Sequence, residues 1–217
     1  MAEMVGFLRE DATHGEKLTA RLLQQNLPKE YTVYVEMPLR LTREIRYPDF
    51  IVLTNYGVVI LEVKDWVTVE RASPAGATVR TRSNETRFEH NPVGKARELA
   101  LGLSTRLKGD GIAAKKIGVD VPWGYAAVLI NLPTPVITQL RTPWGEEFVW
   151  GKDDLSIPDL LVKRLRNTIS TRHIRTLTQA EINAIRGIIW PVVEIQPPTG
   201  APFVLDSQQE KIVAEPV

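Results

Sequence analysis

The sequence predicts an α/β sandwich, with strands in the middle and helices on both sides. Two observations carry that expectation. The first is a pair of short, almost wholly apolar runs, Phe50-Ile51-Val52-Leu53 and Val58-Val59-Ile60-Leu61. Runs of this kind form sheet strands covered on both faces. The second is that segments with apolar residues at helical spacing precede and follow these runs, so strands and helices interleave along the chain. At 217 residues, with 43% hydrophobic and 24% charged side chains, the chain can bury one substantial core.

Residues 13–27 read as a helix, with an apolar stripe of Leu18, Leu22 and Leu23 and a stop at Pro28. Residues 31–37 alternate well enough for a strand. The two apolar runs follow, joined by Thr54-Asn55-Tyr56-Gly57, whose Asn and Gly mark a hairpin turn. Residues 77–82 read as a short polar strand after the Ser73-Pro74-Ala75-Gly76 turn. Residues 92–107 form a helix with Pro92 in its first turn, Asn91 as its cap and Leu99, Leu103 and Leu107 on one face. The Gly109-Asp110-Gly111 segment ends it. A buried strand is expected near residues 125–132 and a shorter one at 147–150. Helices follow at 158–169 and 180–190, the second opened by the capping box Thr178-Gln179-Ala180-Glu181. The expected division is a core over 1–132, an extension over 133–195 whose two helices pack on the core, and a separate tail over 196–217.

The chemistry lies where the two apolar runs end. Asp49 starts the first run, and Glu62 and Lys64 close the second. An antiparallel pair brings these ends together, and Glu62 and Lys64, two apart, share one face of their strand. Three ionisable groups thus converge at one end of a sheet otherwise made of Val, Ile and Leu. Burying them is costly unless a cation or a partner compensates. Carboxylates in this position suit a hard cation, Mg²⁺ or Mn²⁺, which takes oxygen ligands and assists phosphodiester hydrolysis. Lys64 would orient or deprotonate the attacking water, or stabilise the anionic transition state; the sequence leaves both roles open.

Pro48-Asp49 followed by Glu62-Val63-Lys64 resembles the PD-(D/E)xK nuclease superfamily. Within it, the chain is similar to the nuclease-related domain, NERD. The resemblance rests on Gly15-Glu16 in a helix, Asp49 heading a strand, a strand from Gly57 to Lys64, and Asn91-Pro92 before a helix. It implies a restriction-endonuclease-like core with a central mixed β-sheet flanked by helices. It implies Asp49, Glu62, Lys64 and Glu16 as catalytic residues, with Asp49, Glu62 and the Val63 carbonyl holding the metal. Glu16 also fits the N3 position of a capping box with Thr13, and the two roles are expected to exclude each other. The family often has Gln a few residues after Asn-Pro, where this chain has Lys95. Lys95 would face a substrate phosphate or lie solvated on its helix. Arg40, Arg43 and Arg46 would line a backbone-phosphate track or form a solvated face. Asp65 reads as a turn residue or a ligand to a second metal, and Trp66 as core or a lid.

Composition narrows the alternatives. The formal net charge of +1 makes any nucleic-acid footprint local. The absence of cysteine excludes disulfides and thiolate metal sites, and three scattered histidines argue against a zinc centre. With no targeting pattern or membrane-length apolar run, a cytoplasmic protein is expected. The tail opens with the linker Gln196-Pro197-Pro198-Thr199-Gly200-Ala201-Pro202. Residues 203–213 then resemble the Q motif of UvrD-like helicases, in which Gln209 would contact adenine; an amphipathic surface helix is the other reading. No G-x-x-x-x-G-K-[ST] phosphate loop occurs in these residues. The expectation is the N-terminal part of a longer helicase, whose nuclease domain acts on DNA in processing or repair. A catalytically inactive module that binds DNA or a partner protein is the alternative.

Overall fold

A computed structural model describes residues 1–40, 44–109, 121–169 and 175–191, with the Arg40 side chain left out. The centre is a six-stranded mixed sheet in the order β1 (Glu3–Val5), β2 (Thr32–Val35), β5 (Phe50–Leu53), β6 (Val58–Val63), β10 (Trp123–Val128), β11 (Val149–Trp150). β5 runs antiparallel to both β2 and β6, whereas β10 lies parallel to β6 and to β11. Helices α1 (His14–Asn26) and α5 (Pro158–Thr168) contribute Leu23, Leu161 and Leu165 to one face, where Phe50, Val52, Val59 and Leu61 point. Helices α2 (Pro92–Gly109) and α6 (Gln179–Ile189) cover the other, against Ile51, Leu53, Val58 and Ile60. The two apolar runs are therefore apolar throughout because both their faces are core. This is the mixed sheet flanked by helices that the sequence implied.

The hairpin between β5 and β6 is fixed by Thr54. Its hydroxyl oxygen accepts hydrogen bonds from the Tyr56 and Gly57 amides at 3.0 and 3.1 Å, and its own amide donates to the Gly57 carbonyl at 2.9 Å. Gly57 has φ +153°, and a Cβ there would overlap the Pro122 carbonyl oxygen, to which Val58 donates its amide at 3.0 Å. Gly57→Ala is thus expected to cost about 1–3 kcal/mol of overpacking, with backbone strain in addition. Chemical denaturation at constant pH measures it; an unchanged midpoint would show that β10 shifts freely.

Two features depart from the sequence expectation. Among the described residues beyond 133 there are four helices rather than two: α3 (Thr134–Trp144) and α4 (Lys152–Ser156) precede α5 and α6. α3 carries β-branched residues and two prolines, including Pro143 inside the helix, so its propensity argued against it. Packing overrides that, since Ile137, Leu140 and Trp144 are buried. The second is a three-stranded antiparallel meander, β7 (Trp66–Ser73), β8 (Gly76–Thr81) and β9 (Thr86–His90), of which only β8 was expected. Trp66, Ala77 and Val79 of this meander are buried in a core cluster with α3 and the end of β10, and Val69 packs against it half-buried. The short hairpin β3 (Leu39–Arg40) and β4 (Ile45–Arg46) forms a separate pair. No helix among the described residues is long and apolar enough to cross a membrane.

Candidate active site

β6 alternates its side chains, so Glu62 and Lys64 project on the same side as Val58 and Ile60, toward α2. Glu62 is 1% exposed. Its Oε1 accepts from Lys95 Nζ of α2 at 2.7 Å and lies 3.1 Å from Lys64 Nζ. Its Oε2 is buried without a hydrogen-bond partner. Asp49 directly precedes β5, and its Oδ2 accepts the Val63 amide at 2.6 Å, which clamps the ends of the two strands. Burial pushes the Asp49 carboxyl up to about 7, and the neighbouring charge of Glu62 pushes the same way; the Val63 amide and Lys95 oppose them. For Lys64, burial disfavours the charge but is outweighed by Glu62, Glu89 and Asp49, so its pKa lies above the ordinary lysine value.

Glu16 arrives from the opposite side, on the first turn of α1. Its Oε2 accepts the Thr13 amide at 2.6 Å while its own amide donates to Thr13 Oγ1 at 3.2 Å, a complete capping box. The same side chain lines the cavity and raises the Asp49 pKa through its charge. Glu16 therefore caps α1 and lines the cavity at once, because its carboxylate caps through only one of its oxygens. What holds α1 in place is Asp65. Its Oδ1 accepts from the Gly15 amide at 2.8 Å and from Asn131 Nδ2 at 2.6 Å, and its Oδ2 lies 3.4 Å from Arg82 Nε. A Cβ on Gly15 would stand 3.0 Å from that Oδ1 and 3.1 Å from Ile130, so the glycine beside Glu16 allows α1 to dock closely. Asp65 is thus a latch between α1, the sheet and the meander.

These groups line one cavity of about 760 Å³. Asp49, Glu62, Val63, Lys64, Glu16 and Lys95 all face it, so six of the residues singled out in the sequence are brought together. Arg46 is not: it sits on β4, pairs with Glu44 at 2.7 Å and lies outside the cavity wall. Arg43 and Gln209 lie outside the described residues. Asn91 caps α2 as expected, its Oδ1 accepting the Val93 amide at 2.9 Å, and its Nδ2 also donates to the Pro74 carbonyl at 3.1 Å. Trp66 is core, edge-on to Trp144 with ring centroids 6.1 Å apart. Sequence reasoning missed Glu89, which lines the cavity 3.9 Å from Lys64, as well as Arg9, Arg82 and Arg87. Nothing in their local pattern marks them, because the meander that carries three of them has no apolar alternation to announce it.

Among the described residues no group of three or more His, Asp or Glu side chains is arranged to hold a metal ion. The donors expected from the sequence are the Asp49 and Glu62 carboxylates and the Val63 carbonyl, and all three residues line the cavity. That set is short for a protein cage but normal for Mg²⁺, which keeps waters and takes substrate phosphate.

A mixed sheet with acid, acid and lysine at the adjoining ends of two antiparallel strands defines a nuclease-like α/β core. The chain belongs to the nuclease-related domain family, NERD, whose family model matches residues 12–129. No curated protein and no solved structure matches the chain.

Proposed function

We propose that this domain is a Mg²⁺- or Mn²⁺-dependent nuclease that hydrolyses DNA phosphodiester bonds. The observation that carries the proposal is Glu62, a buried carboxylate with one oxygen held by two ammonium groups and the other orphaned. A buried carboxylate oxygen without a donor is costly, and a cation beside it would remove that cost. Asp49, held up near 7 by burial and by Glu62, fits the same cation. These two side chains and the Val63 carbonyl would hold the metal. When bound, the metal would supply Lewis acidity toward the phosphate and lower the pKa of a water.

The chain's own groups then divide the remaining tasks. Lys64 lies where its ammonium can balance negative charge on the transferring phosphate and orient the attacking water. Lys95 reaches in from α2 with a side chain 45% exposed, and can turn from Glu62 to an adjacent phosphate. Glu16, fixed by its cap, keeps a further negative charge close to Asp49. The tail's resemblance to a Q motif extends the proposal to an accessory role beside a helicase motor in DNA processing or repair.

Cleavage of labelled single-stranded, duplex and forked DNA with Mg²⁺ and Mn²⁺, with Asp49→Asn prepared in parallel, tests the reading. Metal-dependent cutting by the wild-type chain alone supports it. Binding without cutting on every substrate would replace it with a module that binds DNA or a partner. Lys95→Gln should tighten Mn²⁺ binding roughly twofold to fivefold, since a competing ammonium leaves Glu62. It should also reduce the salt dependence of DNA binding by about one phosphate contact. Calorimetric Mn²⁺ titration and a salt series measure the two effects; weaker Mn²⁺ binding would show that Lys95 supports the site instead.

A further inference from the structure

The meander forms the second wall of the cavity, and little of it is explained by core packing. β7 and β9 are largely exposed, and among the described residues β9 is an edge strand paired only with β8. Along its polar length stands one large apolar side chain, Phe88, which is 56% exposed and lines the cavity. Its ring is not loose: a Cβ at Gly76 on the facing strand would lie 2.8 Å from Phe88 Cζ, so the ring rests where a side chain is missing. His90, two residues on, meets it edge-on with centroids 5.6 Å apart. Arg87 projects from the other face of this edge strand, with Glu89, and Arg82 follows β8; both arginines line the same cavity with side chains about half exposed, balanced by Glu89 and Asp65 at 2.7 and 3.4 Å. Two more exposed aromatics stand close by in sequence: Phe7, 92% exposed, two residues before the cavity-lining Arg9, and Tyr47, 58% exposed, two residues before Asp49.

We propose that the β7–β9 meander is a grip for single-stranded nucleic acid, with Phe88 as the stacking platform that selects unpaired bases over duplex. The inference rests on the nuclease reading of the same cavity and names its substrate class. An aromatic face at the mouth of a charged groove is what an unpaired base recognises, because stacking needs only the base's π-face. In a duplex those faces are already stacked on each other. Arg82 and Arg87 can exchange their carboxylate partners for phosphates, so the grip is polar where the backbone runs and apolar where a base lies. Glu89, which links Arg87 to Lys64 across the cavity, places the grip next to the catalytic end of β6.

The test is fluorescence anisotropy in EDTA, where binding is read without cleavage. The probes are labelled oligothymidylate and oligouridylate of about 12 nucleotides and a duplex of equal length. The wild-type chain should prefer both single strands to the duplex. Phe88→Ala should weaken single-strand binding roughly five- to a hundredfold while leaving duplex binding unchanged, and Phe88→Trp should restore it. Because the ring is mostly exposed, thermal melting of Phe88→Ala should match the wild type. Duplex binding as tight as single-strand binding, or an unweakened Phe88→Ala, would overturn the proposal. Because binding is read without metal, a chain that binds single strands in EDTA but cuts none with Mg²⁺ or Mn²⁺ would sink the nuclease reading and leave the grip standing.

Discussion

Replacing Glu62 by Gln is expected to lower DNA cleavage by more than the roughly hundredfold that even outer partners of a metal site cost. The chain should stay folded. Gln fills the same buried volume at the end of β6 and can still accept from Lys64 or Lys95, so packing against α2 persists. What disappears is the negative charge and the orphaned oxygen that suit a cation. The loss should therefore be accompanied by loss of Mn²⁺-induced thermal stabilisation. A variant that loses activity but keeps that stabilisation would place the metal elsewhere. Global unfolding would show that Glu62 is a structural counter-ion to the two lysines.

Asp49→Asn should move stability and metal binding in opposite directions. Asp49 titrates near 7 in the fold instead of near 3.8, because it is desolvated and faces Glu62. A carboxyl raised in this way favours folding fully below its unfolded pKa and loses that contribution as pH rises through about 7. At pH 8 in EDTA the wild-type chain bears the whole cost, whereas Asn bears none and retains an oxygen for the Val63 amide. The variant should then be more stable by on the order of 2 kcal/mol at pH 8 and no more stable at pH 4. Adding Mn²⁺ at a hundredfold excess over its Kd should raise the wild-type stability by about 2.7 kcal/mol and leave the variant unmoved. Denaturation at the two pH values, with and without the cation, separates these terms. A variant less stable at pH 8 would mean that the strand clamp through Val63 outweighs the charge penalty.

The two predictions depend on the same physical arrangement. A sheet end built of Phe50, Ile51, Ile60 and Leu61 offers nothing to solvate a charge, so each carboxylate there is balanced by a named partner or left expensive. Lys64 and Lys95 balance Glu62 through one oxygen, the Val63 amide holds Asp49, and Asp65 is consumed by Gly15, Asn131 and Arg82. The unbalanced remainder, Glu62 Oε2 with the raised Asp49, is where the proposed cation would sit. The coupling of latch and site also explains why a glycine precedes Glu16: a bulkier residue would push α1 off Asp65 and Ile130.

By itself the sequence determined the sheet centre, the faces of α1 and α2, the caps at Thr13, Asn91 and Thr178, and the convergence of Asp49, Glu62 and Lys64. These are local or nearly local matters: apolar period, turn residues and a hairpin with a four-residue connection bring their own parts together. Only the tertiary structure decided that Glu16 both caps and faces the acids, that Asp65 is a latch, and that Lys95 shares Glu62. It also decided that the polar strands β7 and β9 close the cavity with Arg82, Phe88 and Glu89. The physical reason is that an exposed two-sided sheet carries no burial pattern, while partners distant in sequence, such as Gly15 with Asp65 and Asp65 with Asn131, meet only after the core has packed.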